Sequence, residues 1–246
     1  MKYLFIGGAP RSGTSALTEL LSTHERVAIG MERFKFCYSK KSVTKEMFTK
    51  DNFFRFDSTQ TNIDDKNGKY VDFYQKLSNK FDGSSIVGDK YPQLYKFWPS
   101  LFENFGEDGR FLFIMRDIED VASSFNVRAS NPKDKWPEEN NYKKAVEIWN
   151  QSLLIAAKAK SENKNICIVS YSKLFDSESY ACDEEMLKII RYLDLSDNEE
   201  LILEHKKLQE KYVSHIKNKS KLIFEGQEQY IKEKANKSLY FELFGL

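Results

Sequence analysis

Short apolar runs alternate along the chain with segments in which apolar residues recur at helical spacing. Runs of this length, bounded by glycine or polar residues, predict strands that are buried on both faces. Five such strands are expected, at residues 3–6, 27–30, 85–88, 111–115 and 166–169. Because helical segments separate them, the pattern predicts a parallel sheet covered by helices on both faces, with ligands at the carboxyl ends of the strands.

The segments between and after the strands have the apolar spacing of helices. Helices are predicted at residues 14–23, 44–48, 70–80, 91–105, 142–160, 183–193 and 198–212, with a further one starting near Asp117 and a polar helical tail. Asp117 is expected to act as an N-cap, and residues 130–140 are expected to form a loop. No repeat, low-complexity linker or shift in composition divides the chain. The sequence therefore predicts one three-layer α/β domain.

Composition narrows the classes of function. Apolar residues make up 41% of the 246 residues and aromatic residues 14%, which is enough for a large core and excludes intrinsic disorder. Lysine and arginine total 38 against 37 acidic residues, so the formal net charge is +1. This balance argues against a nucleic-acid partner, because such proteins carry a basic surface. Any anion site must therefore be built locally.

Cysteine usage and hydropathy bear on location. The three cysteines, Cys37, Cys167 and Cys182, are odd in number and too widely spaced for a zinc pattern. No apolar run approaches the ~20 residues of a membrane span. The opening run at residues 2–8 is too short for a signal-peptide core. We therefore expect a reduced, cytoplasmic compartment.

The turn between the first strand and the first helix, residues 8–15, reads GAPRSGTS. Backbone N–H groups in such a turn, with the positive end of a helix behind them, form a cradle for an anion. The spacing from Gly8 to Gly13 matches a nucleoside-triphosphate P-loop, in which a lysine follows the second glycine. Here Thr14 stands in that place, and Arg11 supplies a cation from inside the loop. The turn predicts a phosphate or sulfate site.

Residues 5–21 (FIGGAPRSGTSALTELL) resemble the 5′-phosphosulfate loop of sulfotransferases that use 3′-phosphoadenylyl sulfate (PAPS). The resemblance implies a P-loop NTPase-like fold and PAPS as cofactor, with 3′-phosphoadenosine 5′-phosphate (PAP) as product and no metal. The residues it assigns to the 5′-phosphosulfate are Arg11, Ser12, Gly13, Thr14 and Ser15, and Arg11 also has a catalytic role.

Residues 111–128 (FLFIMRDIEDVASSFNVR) resemble the second signature of the family, an arginine at the end of a strand and a serine eight residues later on a helix. Arg116 and Ser124 have that spacing, and Arg128 lies one helical turn beyond Ser124. Three converging donors suit a phosphomonoester, and the resemblance implies that they bind the 3′-phosphate. In the alternative interpretation Arg116 only pairs with Asp117.

Two further segments fit the resemblance. Residues 87–92 (VGDKYP) are similar to the family's G-[DN]-K-x-P segment, in which the lysine approaches the transferring sulfuryl group, and this implies a catalytic Lys90. Residues 168–174 (IVSYSKL) are similar to a strand whose tyrosine sits by the adenine or its 3′-phosphate, which assigns Tyr171 to the cofactor. Ser172 and Lys173 replace the acidic pair that usually follows, so the role of Tyr171 stays open.

A hydroxyl or amine acceptor needs a base. Glu32 follows the second strand, where an acidic residue serves as base in tyrosylprotein sulfotransferases and their bacterial relatives. At the carboxyl end of a strand it would face the cofactor loop. His24 is the alternative base, although its place at the end of the first helix favours capping of helix carbonyls. His205 and His215 are expected on the surface of the C-terminal helices.

The sequence says less about how the acceptor is bound. The resemblance implies a single sulfotransferase domain over residues 1–246, of bacterial type, in which residues 31–83 form a variable, mainly helical insertion on the acceptor side. The aromatic residues of this insertion either wall a pocket or pack a helical subdomain on the sheet. Trp136 is a candidate lid residue. The basic segment 212–221 either closes over the nucleotide or is a solvated face.

The sequence thus predicts a sulfotransferase that moves the sulfuryl group of PAPS in line to a hydroxyl or amine of a small-molecule, saccharide or peptide acceptor. It predicts no nucleic-acid partner and no membrane span, and it leaves the oligomeric state open. Two alternatives come from other classes. One is a nucleotide or small-molecule kinase with a degenerate P-loop, and the other is a non-catalytic nucleotide-binding module.

Overall fold

Five parallel strands form one sheet in the order β2-β3-β1-β4-β5. The strands are β1 (Lys2–Gly7), β2 (Val27–Met31), β3 (Ile86–Lys90), β4 (Gly109–Met115) and β5 (Ile166–Ser170). The computed structural model describes residues 1–64, 66, 68, 70–176, 180–195, 199–217 and 221–245, without the side chains of residues 176, 180–182 and 211–217. The five expected strands are confirmed. Their short apolar runs suit strands of a parallel sheet that is covered on both faces.

Helices cover the sheet on both sides. The α-helices of the described segments are α1 (Thr14–Leu21), α2 (Lys35–Tyr38), α3 (Lys50–Phe53), α4 (Val71–Lys80), α5 (Trp98–Phe105), α6 (Ile118–Ala129), α7 (Tyr142–Ser161), α8 (Tyr180–Leu193), α9 (Glu199–Lys217), α10 (Gln227–Lys234) and α11 (Lys237–Phe244). Short 3₁₀ turns lie at Lys45–Phe48, Phe81–Gly83, Pro92–Phe97 and Gly106–Asp108, and a π turn lies at Ser172–Asp176.

Two cores result from the alternation of side chains along each strand. Phe5 of β1 points into a large aromatic core with α5, α6 and α7. Its neighbours Leu4 and Ile6 point into a second, aliphatic core with α1, α8 and α9. The predicted three-layer α/β architecture is therefore confirmed.

The structure corrects several local expectations. The predicted helix at 91–105 is a 3₁₀ turn followed by α5, with non-helical backbone at Gln93. Strand β3 continues past Gly88 through Asp89 and Lys90, whose polar side chains interrupt the apolar run. Asp117 occupies the N-cap position of α6, but its side chain makes no capping hydrogen bond.

His205 was expected on the surface, and this expectation is wrong. Its side chain is buried, and its Nε2 lies 2.7 Å from the carbonyl oxygen of Leu174. Burial lowers the pKa of His205. The imidazole thus satisfies a backbone carbonyl in the π turn after β5 and belongs to the core.

The loop after β2 is held by one buried carboxylate. Asp89 accepts a hydrogen bond from the backbone N–H of Arg33 at one oxygen, and from the N–H of Phe34 and the hydroxyl of Tyr38 at the other, all at 2.9 Å. Burial raises the pKa of Asp89 to about 6, while these hydrogen bonds and the Lys90 ammonium act in the opposite direction. The carboxylate therefore fixes the start of segment 31–83 to the carboxyl end of β3.

A buried guanidinium holds the rest of that segment. Arg33 is fully buried and lies 4.6 and 4.5 Å from the ring centroids of Phe34 and Phe56. Its N–H groups donate to the carbonyl oxygens of Phe53, Asn52 and Arg55 and to Oε1 of Gln60. Most aromatic side chains of the segment, including Phe34 and Phe53, belong to the core. They pack the segment onto the sheet.

We predict that Asp89→Asn lowers the free energy of unfolding by about 3 kcal/mol. The amide NH₂ group would face a backbone N–H and leave buried donors without an acceptor. Tyr38→Phe is the matched control, because it removes one of the three hydrogen bonds and should cost about 1 kcal/mol. Urea denaturation of the three proteins measures the difference. Wild-type stability of Asp89→Asn would contradict the assignment of the carboxylate as the anchor of this loop.

Candidate active site

A cavity of about 740 Å³ opens at the carboxyl ends of the strands. The predicted site residues that line it are Arg11, Gly13, Thr14, Ser15, Glu32, Lys90, Arg116, Arg128 and Tyr171. Ser12 and Ser124 do not line it. Ser12 donates from its buried hydroxyl to Sδ of Met115, and Ser124 accepts from Nε of Arg11 at 2.9 Å. The parallel sheet thus brings together residues that lie more than 150 positions apart in sequence.

The turn from β1 to α1 takes two backbone conformations in the left-handed region, at Arg11 (φ 73°) and Gly13 (φ 94°). Gly13 is the N-cap of α1, and none of the described side chains caps this helix. The first amides of a helix have no partner within it, so they are available to an anion in the cavity. The turn therefore has the geometry of a phosphate cradle.

Gly13 is required for a second reason. A Cβ atom at this position would lie 2.3 Å from Cδ2 of Tyr171. The guanidinium carbon of Arg116 lies 4.5 Å from the centroid of the same ring. Tyr171 thus contacts both the β1–α1 turn and Arg116.

Three guanidinium groups face the same space. The pKa of Arg11 is lowered by desolvation and by the positive charges of Arg128 and Arg116, although Arg11 keeps contact with solvent. Arg116 pairs with Asp120 at 3.0 Å, and Arg128 makes a two-point pair with Asp134 at 2.8 and 2.7 Å. These two carboxylates compensate part of the repulsion.

One donor in this cluster is left unmatched. Within the described part of the chain, Nε of Arg116 is buried and has no hydrogen-bond partner. A buried donor of a charged group without an acceptor is costly. Since Arg116 lines the cavity, an anion bound there would satisfy it.

Sequence reasoning did not assign Asp120 or Asp134 to the site. Asp120 lies in the first turn of α6, four residues after Arg116, and this short spacing was a usable signal for an ion pair. Asp120 also binds Lys221 at 2.6 Å, which joins the C-terminal part of the chain to α6. Asp134 lies in an irregular loop, where no periodicity could have indicated its partner.

Glu32 and Lys90 form an ion pair in the same cavity. Lys90 is 2% exposed, and its ammonium lies 3.4 Å from Oε1 of Glu32. Lys35 lies 3.2 Å from the other oxygen. Glu32 has a left-handed backbone (φ 58°), and its N–H donates to the carbonyl of Lys90 at 2.7 Å. The carboxylate is thus held between two ammonium groups at the edge of the cavity.

The structure places His24 away from these residues. His24 precedes β2, at the amino ends of the strands, whereas Glu32 follows β2 at the carboxyl ends. Its Nδ1 accepts from the N–H of Arg26 at 3.1 Å, and the side chain is buried. His24 is therefore on the edge of the sheet opposite the cavity.

Ser172 and Lys173 stand where an acidic pair usually follows the tyrosine in the family that the sequence resembles, and the contacts of Lys173 explain the lysine. The ammonium of Lys173 donates to the carbonyl oxygens of Phe244 and Gly245 at 2.9 and 3.2 Å. These carbonyls end α11, where a cation is favourable. Lys173 thus attaches the last helix to the π turn that follows β5 and Tyr171.

Trp136 lies on the rim of the cavity. The guanidinium of Arg128 lies 4.3 Å from its ring centroid, and its ring meets Phe125 edge-on at 5.0 Å. Its indole N–H donates to the carbonyl of Asn140 at 2.7 Å. Arg128 therefore contacts the loop that carries Trp136 at two residues, Asp134 and Trp136 itself. Of the basic segment 212–221, residues 218–220 and the side chains of 212–217 lie outside the described part of the chain.

The sequence model of the sulfotransferase family matches residues 4–199. The chain belongs to this family. No match to a curated protein sequence is significant. Across the described residues, this sulfotransferase-family chain has no helix long and apolar enough to cross a membrane.

Solved structures agree on the fold. The sulfotransferase domain from the curacin biosynthetic pathway matches with a TM-score of 0.57 and 15% identity, over 94% of this chain and 96% of that one. The sulfotransferase domain of the Synechococcus PCC 7002 olefin synthase matches with a TM-score of 0.53 and 16% identity, over 82% and 76%. A mouse sulfotransferase, SULT7A1, solved with PAP, matches with a TM-score of 0.50 and 12% identity, over 98% and 83%. The predicted P-loop-like α/β class is confirmed.

We predict that Gly13→Ala destabilises the protein by about 2 kcal/mol. The new methyl group would collide with Tyr171 and also force alanine into a left-handed backbone. Gly83→Ala is the matched control, because a Cβ atom there meets nothing within 4 Å. Denaturant midpoints report both changes. Equal stability of the two variants would show that Tyr171 does not pack against the turn as described.

Proposed function

We propose that this sulfotransferase-family chain transfers the sulfuryl group of PAPS to a hydroxyl or amine of a small-molecule, saccharide or peptide acceptor. The observation that carries the proposal is the convergence of Arg11, Arg116 and Arg128 on the uncapped amino end of α1. Such a donor set suits a ligand with two separate phosphate-type groups.

The residues present fit this cofactor. The unmatched Nε of buried Arg116 is a donor for a phosphate oxygen, and the amides that begin α1 are donors for a second anionic group. The cavity, at about 740 Å³, lies within the range that accommodates small-molecule ligands. The mouse structure that shares this fold was solved with PAP, which supports the same choice of nucleotide here.

We assign Arg11, Gly13, Thr14 and Ser15 to the 5′-phosphosulfate, and Arg116 and Arg128 to the 3′-phosphate. Ser12 and Ser124 support these groups from outside the cavity lining. Ser12 holds the turn through its hydrogen bond to Met115, and Ser124 orients the Arg11 guanidinium. Tyr171 lines the cavity and its ring holds the Arg116 guanidinium, and we assign it to the cofactor site.

When bound, PAPS supplies the sulfuryl group: the bond from sulfur to the bridging phosphate oxygen breaks as a bond to the acceptor oxygen or nitrogen forms. The Glu32 carboxylate takes the proton that the acceptor loses. The Lys90 ammonium and the Arg11 guanidinium stabilise the negative charge that develops on the bridging oxygen. Lys35 and Lys90 hold the Glu32 carboxylate in place before the reaction.

We predict that PAP binds without Mg²⁺ and that Arg116→Ala weakens this binding about 30- to 100-fold. The variant loses charge-assisted hydrogen bonds worth about 2–3 kcal/mol. Adenosine 5′-phosphate should bind both proteins equally, because it lacks the 3′-phosphate. Arg191→Ala, an exposed arginine on α8, is the control. Calorimetric titration of the three proteins with each of the two nucleotides measures these affinities.

Two results would contradict these assignments. An equal loss for PAP and adenosine 5′-phosphate in Arg116→Ala would remove Arg116 from the 3′-phosphate site. Tight binding of ATP that requires Mg²⁺, in place of PAP, would overturn the proposed function and favour a kinase.

We predict that Glu32→Gln lowers transfer of ³⁵S-labelled sulfate from PAPS by at least about 100-fold, since an amide cannot take a proton. PAP affinity should remain within about twofold, because Glu32 follows β2 and Arg116 follows β4, and β3 and β1 lie between these two strands. Transfer is measured to a mixture of phenols, alcohols and amines. His24→Gln should retain transfer. An active Glu32→Gln protein beside an inactive His24→Gln protein would move the base to His24.

A further inference from the structure

The cavity is also lined by residues that the nucleotide assignment leaves without a role. The 3₁₀ turn after β3 contributes Gln93 and Lys96 to this part of the lining, and α7 contributes Lys144 and Glu147. Lys96 donates to Oε1 of Gln93 at 2.9 Å. Lys144 donates to both oxygens of Glu147, at 2.9 and 2.8 Å. We call these four residues the distal wall.

Positive charges outnumber negative charges in the cavity lining. Seven of the side chains that line the cavity are cationic and two are acidic. Glu32 is paired with Lys35 and Lys90, and Glu147 is paired with Lys144. In the segments that the structure describes, Lys96 has no carboxylate within ion-pair distance and binds only a neutral amide oxygen.

The charge of Lys144 on α7 affects the pKa of Lys96. Partial desolvation and the positive charge of Lys144 lower the pKa of Lys96, and Glu147 acts against this. The two ammonium groups come from separate elements, line the same cavity and repel one another. An anion placed between them would reduce their repulsion and replace the neutral partner of Lys96.

Aromatic side chains also line the cavity. Tyr91 borders it and stacks on Tyr38, with ring centroids 5.9 Å apart and an interplanar angle of 3°. Tyr70 also lines the cavity. The ring of an aromatic acceptor would find an apolar surface on Tyr91.

We propose that the acceptor carries an anionic group, a carboxylate or a phosphate, which Lys96 and Lys144 bind while the hydroxyl or amine at its other end faces Glu32. This inference rests on the proposed function, since it divides the same cavity into a nucleotide side and an acceptor side. The ring of the acceptor lies along Tyr91. The distal wall thereby selects charged acceptors over neutral molecules of the same shape.

The first test compares matched acceptors on PAP-loaded protein. Two pairs are used: 3-(4-hydroxyphenyl)propionate with its amide, and 2-(4-hydroxyphenyl)ethyl phosphate with 2-(4-hydroxyphenyl)ethanol. We expect at least one anionic member to bind about tenfold more tightly than its neutral counterpart in calorimetry, and to be sulfated preferentially from PAPS. The pair with the larger difference tells a carboxylate from a phosphate. Equal binding within both pairs, or no binding of any member, overturns the proposal.

Variants locate the effect. Lys96→Gln and Lys144→Gln should each reduce the preference for the anionic member by about fivefold, which is the scale of a partly exposed ion pair. Lys158→Gln, on the same helix but outside the cavity, should keep the full preference. An undiminished preference in both wall variants overturns the assignment of Lys96 and Lys144.

The same titrations separate this inference from the function on which it rests. PAP is titrated first into every protein, and each lysine variant should keep PAP affinity within about twofold. Normal PAP binding without discrimination between the acceptors overturns the inference alone. Failure of wild-type protein to bind PAP overturns the proposed function.

Discussion

The carboxylate of Asp89 is the contact on which the rest of the site depends. It is the penultimate residue of β3, and its two oxygens accept three hydrogen bonds from the loop that begins directly after β2. Adjacent strand residues point to opposite faces, so Lys90 faces the cavity while Asp89 faces the loop. A single dipeptide at one strand end thus fixes the backbone around Glu32 and supplies the ammonium that meets the Glu32 side chain.

The positive potential of the cavity comes from local arrangement, because the chain as a whole has a net charge of only +1. Cations from the β1–α1 turn, from the end of β4, from α6 and from the end of β3 converge at one edge of the sheet. Asp120 and Asp134 stand beside two of the arginines and offset part of their repulsion. The fold can therefore remain stable while it keeps donors such as the buried Nε of Arg116 without a protein acceptor.

Much of the architecture could be predicted from the sequence, because the strands are continuous apolar runs and the turn after β1 has a distinctive glycine spacing. Most of the nine predicted residues around the cavity lie at the carboxyl ends of strands or in the segments directly after them, which a parallel sheet must bring together. Arg128 reaches the cavity from the last turn of α6. Contacts that depend on distant residues could not be predicted. The role of Asp89 requires knowledge that β2 and β3 pair, and the burial of His205 requires the position of the π turn after β5. The polar end of β3 also concealed the true length of that strand.

The pair between Arg128 and Asp134 has a consequence for the proposed reaction. A phosphate that binds Arg128 displaces a carboxylate, and that carboxylate remains attached to the adjacent loop. Departure of the product would then proceed by exchange, in which Asp134 takes back the guanidinium as the phosphate leaves. In the proposed reaction the loop would thus be a competitor for the guanidinium, because the Asp134 carboxylate lowers the affinity of Arg128 for the product phosphate.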